Sequence, residues 1–486
     1  MVNQMMKSHL YIVLVVVLPL TLIACHEEPR LSTSSSEALK AYNEGVRSLD
    51  LFYYADAIAS FEHALQLDSN FAMASTRLAL AYARTGNETS AQKEIAEAMR
   101  KSLTATTQEQ LFTRMIDHTL HFRNDAAAAA TDSLIAISPK NAEAYMFRGA
   151  FYELNKNFDA GLEMYKKAID ADTSYAVGVM SLGYAYSARG DFDNAIEQME
   201  RYIRLAPDAA DPRASFADIL LRAGRYDEAL LQYNESLKLK PDYWYAINKI
   251  GDVYTVFGRL HDAEKQFDLG LTKMVINEQV RATHLATKAV LQYQRGKYEE
   301  AIRLCEQSLA LDSTNGKSAF VRVHALVKLK RFDEAGKMIG LIRHELLRRN
   351  LTASQVMLEF QLLRAKFLEE REKLEEASAA CDSAMEYGSE LTRMDVYHEL
   401  AEIQLKQGNY DGAFDDLEDA LRYNQNSPEA LLALTKAYKA SGDKQMMNEI
   451  GGRLLDLWKN ADQDFQPLIE LKKLLSKTSA HAATVS

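Results

Sequence analysis

Small, large and polar positions recur on a fixed step through the middle of the chain. Gly149, Gly183, Ala217 and Gly251 stand 34 residues apart. Each is followed three positions later by a larger residue (Tyr152, Tyr186, Leu220, Tyr254) and twelve positions later by another small one (Gly161, Ala195, Ala229, Ala263). A period of this length marks stacked helix pairs. The segment from Gly183 shows why. A helix through Gly183 and Tyr186 ends at Gly190, which tolerates the left-handed conformation of a helix exit. Asp191 then caps a second helix, whose apolar stripe is Ile196, Met199 and Ile203. Pro207 stops that helix, and Asp211-Pro212 is predicted to restart the chain as a cap followed by proline at the first helical position. Gly183 and Ala195 are small enough to let the two helices approach closely.

One such unit reads Ala217, Leu220, Gly224, Tyr226, Ala229, Ser236 and Pro241. These residues resemble the tetratricopeptide repeat. That family carries a small residue at the eighth position, an aromatic at the eleventh, glycine at the fifteenth, an aromatic at the seventeenth, alanine at the twentieth and a small residue at the twenty-seventh. Leu220 departs from the aromatic preference but keeps the size. The resemblance implies an all-α, right-handed superhelical α-solenoid. About twelve units can be followed. The first has Gly45, Tyr54, Ala57, Phe61 and Ala64, and the last has Thr435, Tyr438, Gly442 and Leu454. The third, tenth and twelfth are the most degenerate. Contacts in such an array are expected between neighbouring repeats.

The step lengthens twice, from Gly251 to Ala289 and from Val323 to Ala365. The extra residues fall near Val275–Arg281 and near Arg343–Ser354, where Arg343, Arg348 and Arg349 suggest a lengthened basic helix end. These joints divide the array into residues 37–274 (repeats 1 to 7), 275–345 (repeats 8 and 9) and 346–460 (repeats 10 to 12). Residues 461–477 carry Phe465, Leu468, Ile469, Leu471, Leu474 and Leu475 at helical spacing, predicting a capping helix over the last repeat, with Asp464 as its cap. Residues 478–486 read as a loose tail.

Residues 1–24 read as a targeting segment rather than fold, with Lys7 ahead of an apolar run from Leu10 to Ile23. That run is shorter than the ~20 residues a spanning helix needs. Leu22-Ile23-Ala24-Cys25 resembles a bacterial lipobox, with Cys25 as the lipidated residue and residues 26–36 as a serine-rich tether. His26 is not the aspartate that retains such proteins in the inner membrane, so the expectation is an outer-membrane anchor facing the periplasm. Glu27-Glu28 also resembles a surface-export signal, which leaves the cell surface open as an alternative. The net charge of −11 argues against a nucleic-acid partner.

Candidate chemistry is sparse. Cys305 and Cys381 occupy packing positions in the eighth and tenth repeats, with a full repeat between them, so a disulfide is not expected. His118 and His121 could share a helix face, but a metal site needs more ligands in fixed geometry, and no metal or other cofactor is expected. No glycine-rich phosphate loop, His-Glu-x-x-His or nucleophile elbow is present. In the family that these residues resemble, the first helix of each repeat lines a concave groove. Carried over, those positions give Met146, Met180, Tyr184, Asp218, Tyr245, Asn248, Asp252 and Tyr293 as a candidate groove for protein or peptide partners. The lysine and asparagine clamp of chaperone-binding members is missing. Two functions stand: a non-catalytic interaction scaffold anchored at the cell envelope, in an assembly, secretion or export complex, or a glycan-related enzyme or carbohydrate-binding protein on a helical array.

Overall fold

The computed structural model describes residues 31–274, 277–348, 355–387 and 392–476. Cys25, the targeting segment and the tail 478–486 lie outside them. The described residues form 25 helices and no strand. Twelve helix pairs are followed by a single helix. In the first half they are α1 (Ser36–Asp50), α2 (Tyr54–Leu67), α3 (Ala72–Arg84), α4 (Glu88–Ser102), α5 (Thr107–Leu120), α6 (Asn124–Ile137), α7 (Ala142–Leu154), α8 (Phe158–Ala171), α9 (Ala176–Ser187), α10 (Phe192–Leu205), α11 (Ala210–Arg222) and α12 (Tyr226–Leu239). The rest are α13 (Trp244–Val256), α14 (Leu260–Leu271), α15 (Glu278–Gln294), α16 (Tyr298–Leu311), α17 (Gly316–Lys328), α18 (Phe332–Arg348), α19 (Gln355–Glu369), α20 (Leu374–Met385), α21 (Arg393–Gln407), α22 (Tyr410–Tyr423), α23 (Pro428–Ser441), α24 (Lys444–Leu457) and α25 (Gln466–Ser476).

The turn inside each pair fixes the register. One residue with positive φ ends the first helix of every pair: Phe52, Gly86, Phe122, Lys156, Gly190, Gly224, Gly258, Gly296, Lys330, Glu372, Gly408 and Gly442. Such a residue satisfies the last carbonyls of a helix, and glycine does so without a Cβ penalty. Five pairs place a larger residue there, which is why their turns are hard to recognise in the sequence. After the turn, a short polar side chain often caps the second helix. Asp191 accepts from the backbone N–H of Asn194 at 3.3 Å, and Asn157 from that of Ala160 at 3.2 Å.

Within a pair, the small residue of the first helix meets a large residue of the second. A Cβ on Gly45, Gly149, Gly183 or Gly251 would stand 2.5 to 2.7 Å from Phe61, Tyr165, Met199 or Phe267 respectively. The glycines therefore let the helices close to a spacing at which those side chains fill the interface, and Phe61, Tyr165 and Met199 are fully buried. Burying a side chain of this size contributes about 1.5–3 kcal/mol. The lengthened steps go partly into longer helices, since α15 and α18 each span 17 residues; residues 275–276 and 349–354 lie outside the described set.

Three local expectations are corrected. Asp211 is not the cap of α11, which begins at Ala210; it lies inside the first turn, where its carboxylate accepts from the Tyr202 hydroxyl at 2.8 Å. Asp464 does not directly precede α25, which begins at Gln466; its carboxylate faces Arg295 and Lys297 at 3.7 and 3.8 Å. Contacts are also not confined to neighbouring repeats.

The chain divides into two compact units. The first comprises described residues 31–187 and 191–215, the second 188–190 and 216–476. The division falls at neither of the lengthened steps. In the first unit, the turn at Tyr53 reaches the start of the sixth pair, where the Tyr53 hydroxyl accepts from the Ala210 N–H at 3.1 Å. In the second, the turns of several pairs meet segments about 200 residues later. Asn424 donates to the Tyr226 hydroxyl at 3.0 Å, and Asn426 donates to the Gly224 carbonyl at 3.1 Å. The Trp458 indole donates to the Val256 carbonyl at 3.0 Å, the Asp462 N–H to the Gly258 carbonyl at 3.0 Å, and Gln466 to the Arg295 carbonyl at 3.3 Å. Here glycine has a second use: a Cβ on Gly258 would lie 2.5 Å from Phe465. The capping helix α25 buries Leu468 and Leu471 beside Leu454 and Trp458.

Candidate functional site: the concave faces

In the first unit, first-helix side chains that would line a groove are instead packed together. Arg77 sits alone among uncharged residues in the interior of α3 and is buried. Its guanidinium donates to both carboxylate oxygens of Glu143 at 2.7 and 2.9 Å, and its Nε donates to the Tyr42 hydroxyl at 3.4 Å. The same group stacks over the Phe112 ring, 4.3 Å from its centroid. A planar, bidentate guanidinium suits this role as lysine would not. Glu109 closes a capping box on α5, with Thr106, and also accepts from Ser32. Arg77 and Glu143 therefore form a buried polar pair beside aromatic rings.

In the second unit, charged side chains form a ladder on successive first helices. Lys366 of α19 stands 2.5 Å from Glu369 and 3.7 Å from Glu399. Lys406 of α21 reaches Glu369 at 2.9 Å, and Lys436 of α23 bridges Glu402 at 2.9 Å and Glu470 of α25 at 3.0 Å. Burial pushes the Glu399 carboxyl up to about 8; Lys366 opposes this, while the neighbouring carboxylates Glu369 and Glu402 add to it. Burial would also raise Glu402, but Lys436 and then His398 outweigh it and hold Glu402 down to about 2. Burial keeps His398 and His324 below the ordinary histidine range, His324 at about 4 and therefore neutral at pH 7. The lysines remain partly open to solvent, with Lys366, Lys406 and Lys436 side chains 24%, 42% and 27% exposed.

The residues expected to line one groove fall into two sets. Met146 and Met180, in the first unit, are buried and build the interior rather than present a surface. Tyr184, in the same unit, is half-buried. In the second unit, Asp218 is buried and accepts from the Tyr233 and Tyr245 hydroxyls, both at 2.5 Å. Asn248 lies against Gly270 of the paired helix. Asp252 is half-exposed and faces Lys249 at 3.5 Å. Tyr293 is half-buried, its ring 5.4 Å from Tyr298 and 6.3 Å from His324. Sequence reasoning missed Arg77 and the ladder. A lone charge inside an apolar helix would have flagged Arg77. The ladder spans the tenth to twelfth repeats, and in the degenerate tenth and twelfth the motif positions were hardest to carry over.

Cys305 and Cys381 are free and buried, and burial pushes both thiols up, Cys305 to about 12. His121 Nδ1 lies 3.1 Å from Asp117 and His118 Nδ1 3.9 Å from the same carboxylate. Among the described residues no group of three or more His, Cys, Asp or Glu is placed to hold a metal ion, and no helix is long and apolar enough to cross a membrane.

Comparison with known proteins agrees with the helix pairs. Residues 122–176 and 180–243 match one tetratricopeptide repeat model, and residues 395–427 match another. Residues 213–326 match the fifth ARM repeats domain of TT21. The matched segments, residues 122–176, 180–243 and 395–427, are tetratricopeptide repeats. These repeats support the role of a protein-interaction scaffold. Among solved structures, the chain is similar to a tetratricopeptide repeat protein from Parabacteroides merdae (17% identity over 54% of this chain and 98% of that one, TM-score 0.38). It is similar also to PilW, a type IV pilus biogenesis factor (16%, 44% and 98%, TM-score 0.38), and to yeast Tom70 (11%, 91% and 96%, TM-score 0.40). Comparison with curated proteins gives no match.

Proposed function

We propose that this chain is a non-catalytic scaffold, tethered to the bacterial outer membrane through lipidated Cys25 and facing the periplasm. It holds an extended stretch of a partner polypeptide along the concave face of the second unit. The observation that carries this reading is the alternation of partly exposed lysines with carboxylates on α19, α21 and α23. Each lysine already has a partner, so the ladder costs little without a ligand. A mixed-charge polypeptide could exchange those pairings one for one, which gives register and selectivity more than raw affinity. The half-buried Tyr245 and Tyr293 add amphipathic area nearer the start of the same unit.

The experiment is crosslinking and affinity purification from membrane extracts with Lys366→Glu and Lys436→Glu combined. Partner recovery should fall at least tenfold while helix content is unchanged; full recovery by a folded double variant would move the binding surface elsewhere. The anchor is tested separately. Cys25→Ser should release the protein from the membrane fraction or leave its precursor unprocessed. Intact mass of the wild type should show an acylated amino-terminal cysteine, and an unlipidated mature chain starting elsewhere would end that part of the proposal.

A further inference from the structure

Residues 32–35, just ahead of α1, are fastened to the first unit. Ser32 donates from its backbone N–H and from its hydroxyl to one carboxylate oxygen of Glu109, both at 3.0 Å. The other oxygen takes the N–H and the hydroxyl of Thr106, both at 2.9 Å. Thr33 donates to Asp68 at 2.6 Å, and Ser35 caps α1 by accepting from the Ala38 N–H at 3.1 Å. Glu109 is buried, so the latch holds the approaching chain to the base of α5. Much of the stretch read as a tether is therefore held in place. Only residues 26–31 separate Cys25 from Ser32, which limits that distance to about 25 Å.

These contacts share one edge of the unit, where each second helix ends and the next first helix begins. The first three turns on this edge, residues 68–71, 103–106 and 138–141, carry one carboxylate, Asp68, and Thr33 is bonded to it. Lys140 is exposed in the third turn, and Lys101 lies just before the second. The next two turns carry Asp172 and Asp208 instead. Leu67 and Ile137 end α2 and α6 exposed, as Leu239 and Leu311 end α12 and α16 in the second unit, so those two follow the repeat. Leu103 does not. It opens the turn that Thr106 closes, beside the latch. At 76% it is more exposed than any other large apolar side chain among the described residues.

We propose that this edge of the first unit rests on a phospholipid bilayer, with Leu103 entering the interface between headgroups and acyl chains. The inference rests on the lipidated Cys25 of the proposed function. A lipid at Cys25 brings the bilayer within about 25 Å of Ser32, on the side of the latch. The turns inside the helix pairs stand a helix length away, about 20 Å further from that side. One leucine binds a membrane weakly by itself. Here the anchor already supplies a high local concentration of bilayer, so the leucine has only to orient the unit. Lys101 and Lys140 suit anionic headgroups, and the near absence of carboxylates in these turns removes the repulsion that the chain's net charge of −11 would otherwise bring.

The test uses full-length protein purified from membranes and returned to vesicles of phosphatidylethanolamine and phosphatidylglycerol. Leu103→Cys and Lys156→Cys each carry an environment-sensitive fluorophore; Lys156 is exposed in a turn at the opposite edge. Cys305 and Cys381 are buried and react slowly, and the chain without an added cysteine gives the background. Brominated acyl chains should quench the label at position 103 about threefold more than at 156, and iodide in the water should quench it less. Intact mass separates the two ways to fail. A mature chain without lipid ends the anchor reading and this inference with it. A lipidated chain in which the two positions quench alike ends this inference alone. Protection of position 103 from iodide without quenching by brominated lipid would mean that a protein, such as a second copy of the chain, covers Leu103, and would also overturn it.

Discussion

The two units use the same helix pair and the same left-handed turn, yet their first-helix faces have opposite characters. In the first, Arg77 with Glu143, Tyr42 and Phe112 turns the face into an interior. In the second, Lys366, Lys406 and Lys436 keep their heads partly in water beside Glu369, Glu399 and Glu402. The backbone register does not decide whether a first-helix face is a core or a surface; the size and charge of a few side chains do. An arginine with a planar fork can be desolvated against one carboxylate. Lysines on flexible stems keep their heads hydrated.

The largest expected effect is on the first unit. Arg77→Ala leaves Glu143 buried without its cation, and breaking such a pair typically costs about 3–5 kcal/mol. Hydrogen exchange should show the loss of protection concentrated in residues 31–215, and equal loss throughout would break the contrast between the units. Next is the closure of the second unit. Phe465 is 3% exposed, against Gly258 and edge-on to Trp458. Phe465→Ala should cost about 3 kcal/mol or somewhat more, with the amides of α13, α14 and α25 losing protection together.

A smaller effect, per pH unit, follows from Glu399. Its folded-state pKa is raised to about 8, whereas an unfolded glutamate titrates near the ordinary carboxylate range. Between those values the folded state holds a proton that the unfolded state has released, so stability falls as pH rises from about 4.5 to 8, by up to about 1.4 kcal/mol per pH unit. Denaturant titrations across this range should show the decline in the wild type and its flattening in Glu399→Gln. The smallest effect is common to both units. Lys156 and Lys330 occupy the left-handed turn with φ of 59° and 58°, so Lys156→Gly and Lys330→Gly should each stabilise by about 0.5–1 kcal/mol. Unequal shifts would mean that the turns are not equivalent after all.

Much of this architecture was written locally. Gly149, Gly183 and Gly251 mark the close helix approach because only a small residue fits against Tyr165, Met199 or Phe267. Gly190 and Asp191 mark an exit and a cap because backbone conformation and hydrogen bonding at a helix end are decided within a few residues. The candidate site was less legible. Met146 and Met180 occupy groove positions by spacing, but only the packed interior shows that they face no solvent. Lys366 and Glu399 are ordinary charged residues in any linear reading, and their shifted protonation comes from burial and from charged neighbours, some of which the adjoining repeat supplies.

The sequence alone determined the helix pair, its turn, its repetition and the presence of a terminal cap, since these depend on steps of three, four and 34 residues that the chain carries with it. Tertiary structure alone decided which first-helix side chains are desolvated, and that the turns at Gly224, Gly258 and Arg295 bond to segments far along the chain. A local motif fixes a residue's conformation and the face it occupies. What stands opposite that face depends on the accumulated rotation of several repeats, and no single repeat encodes it.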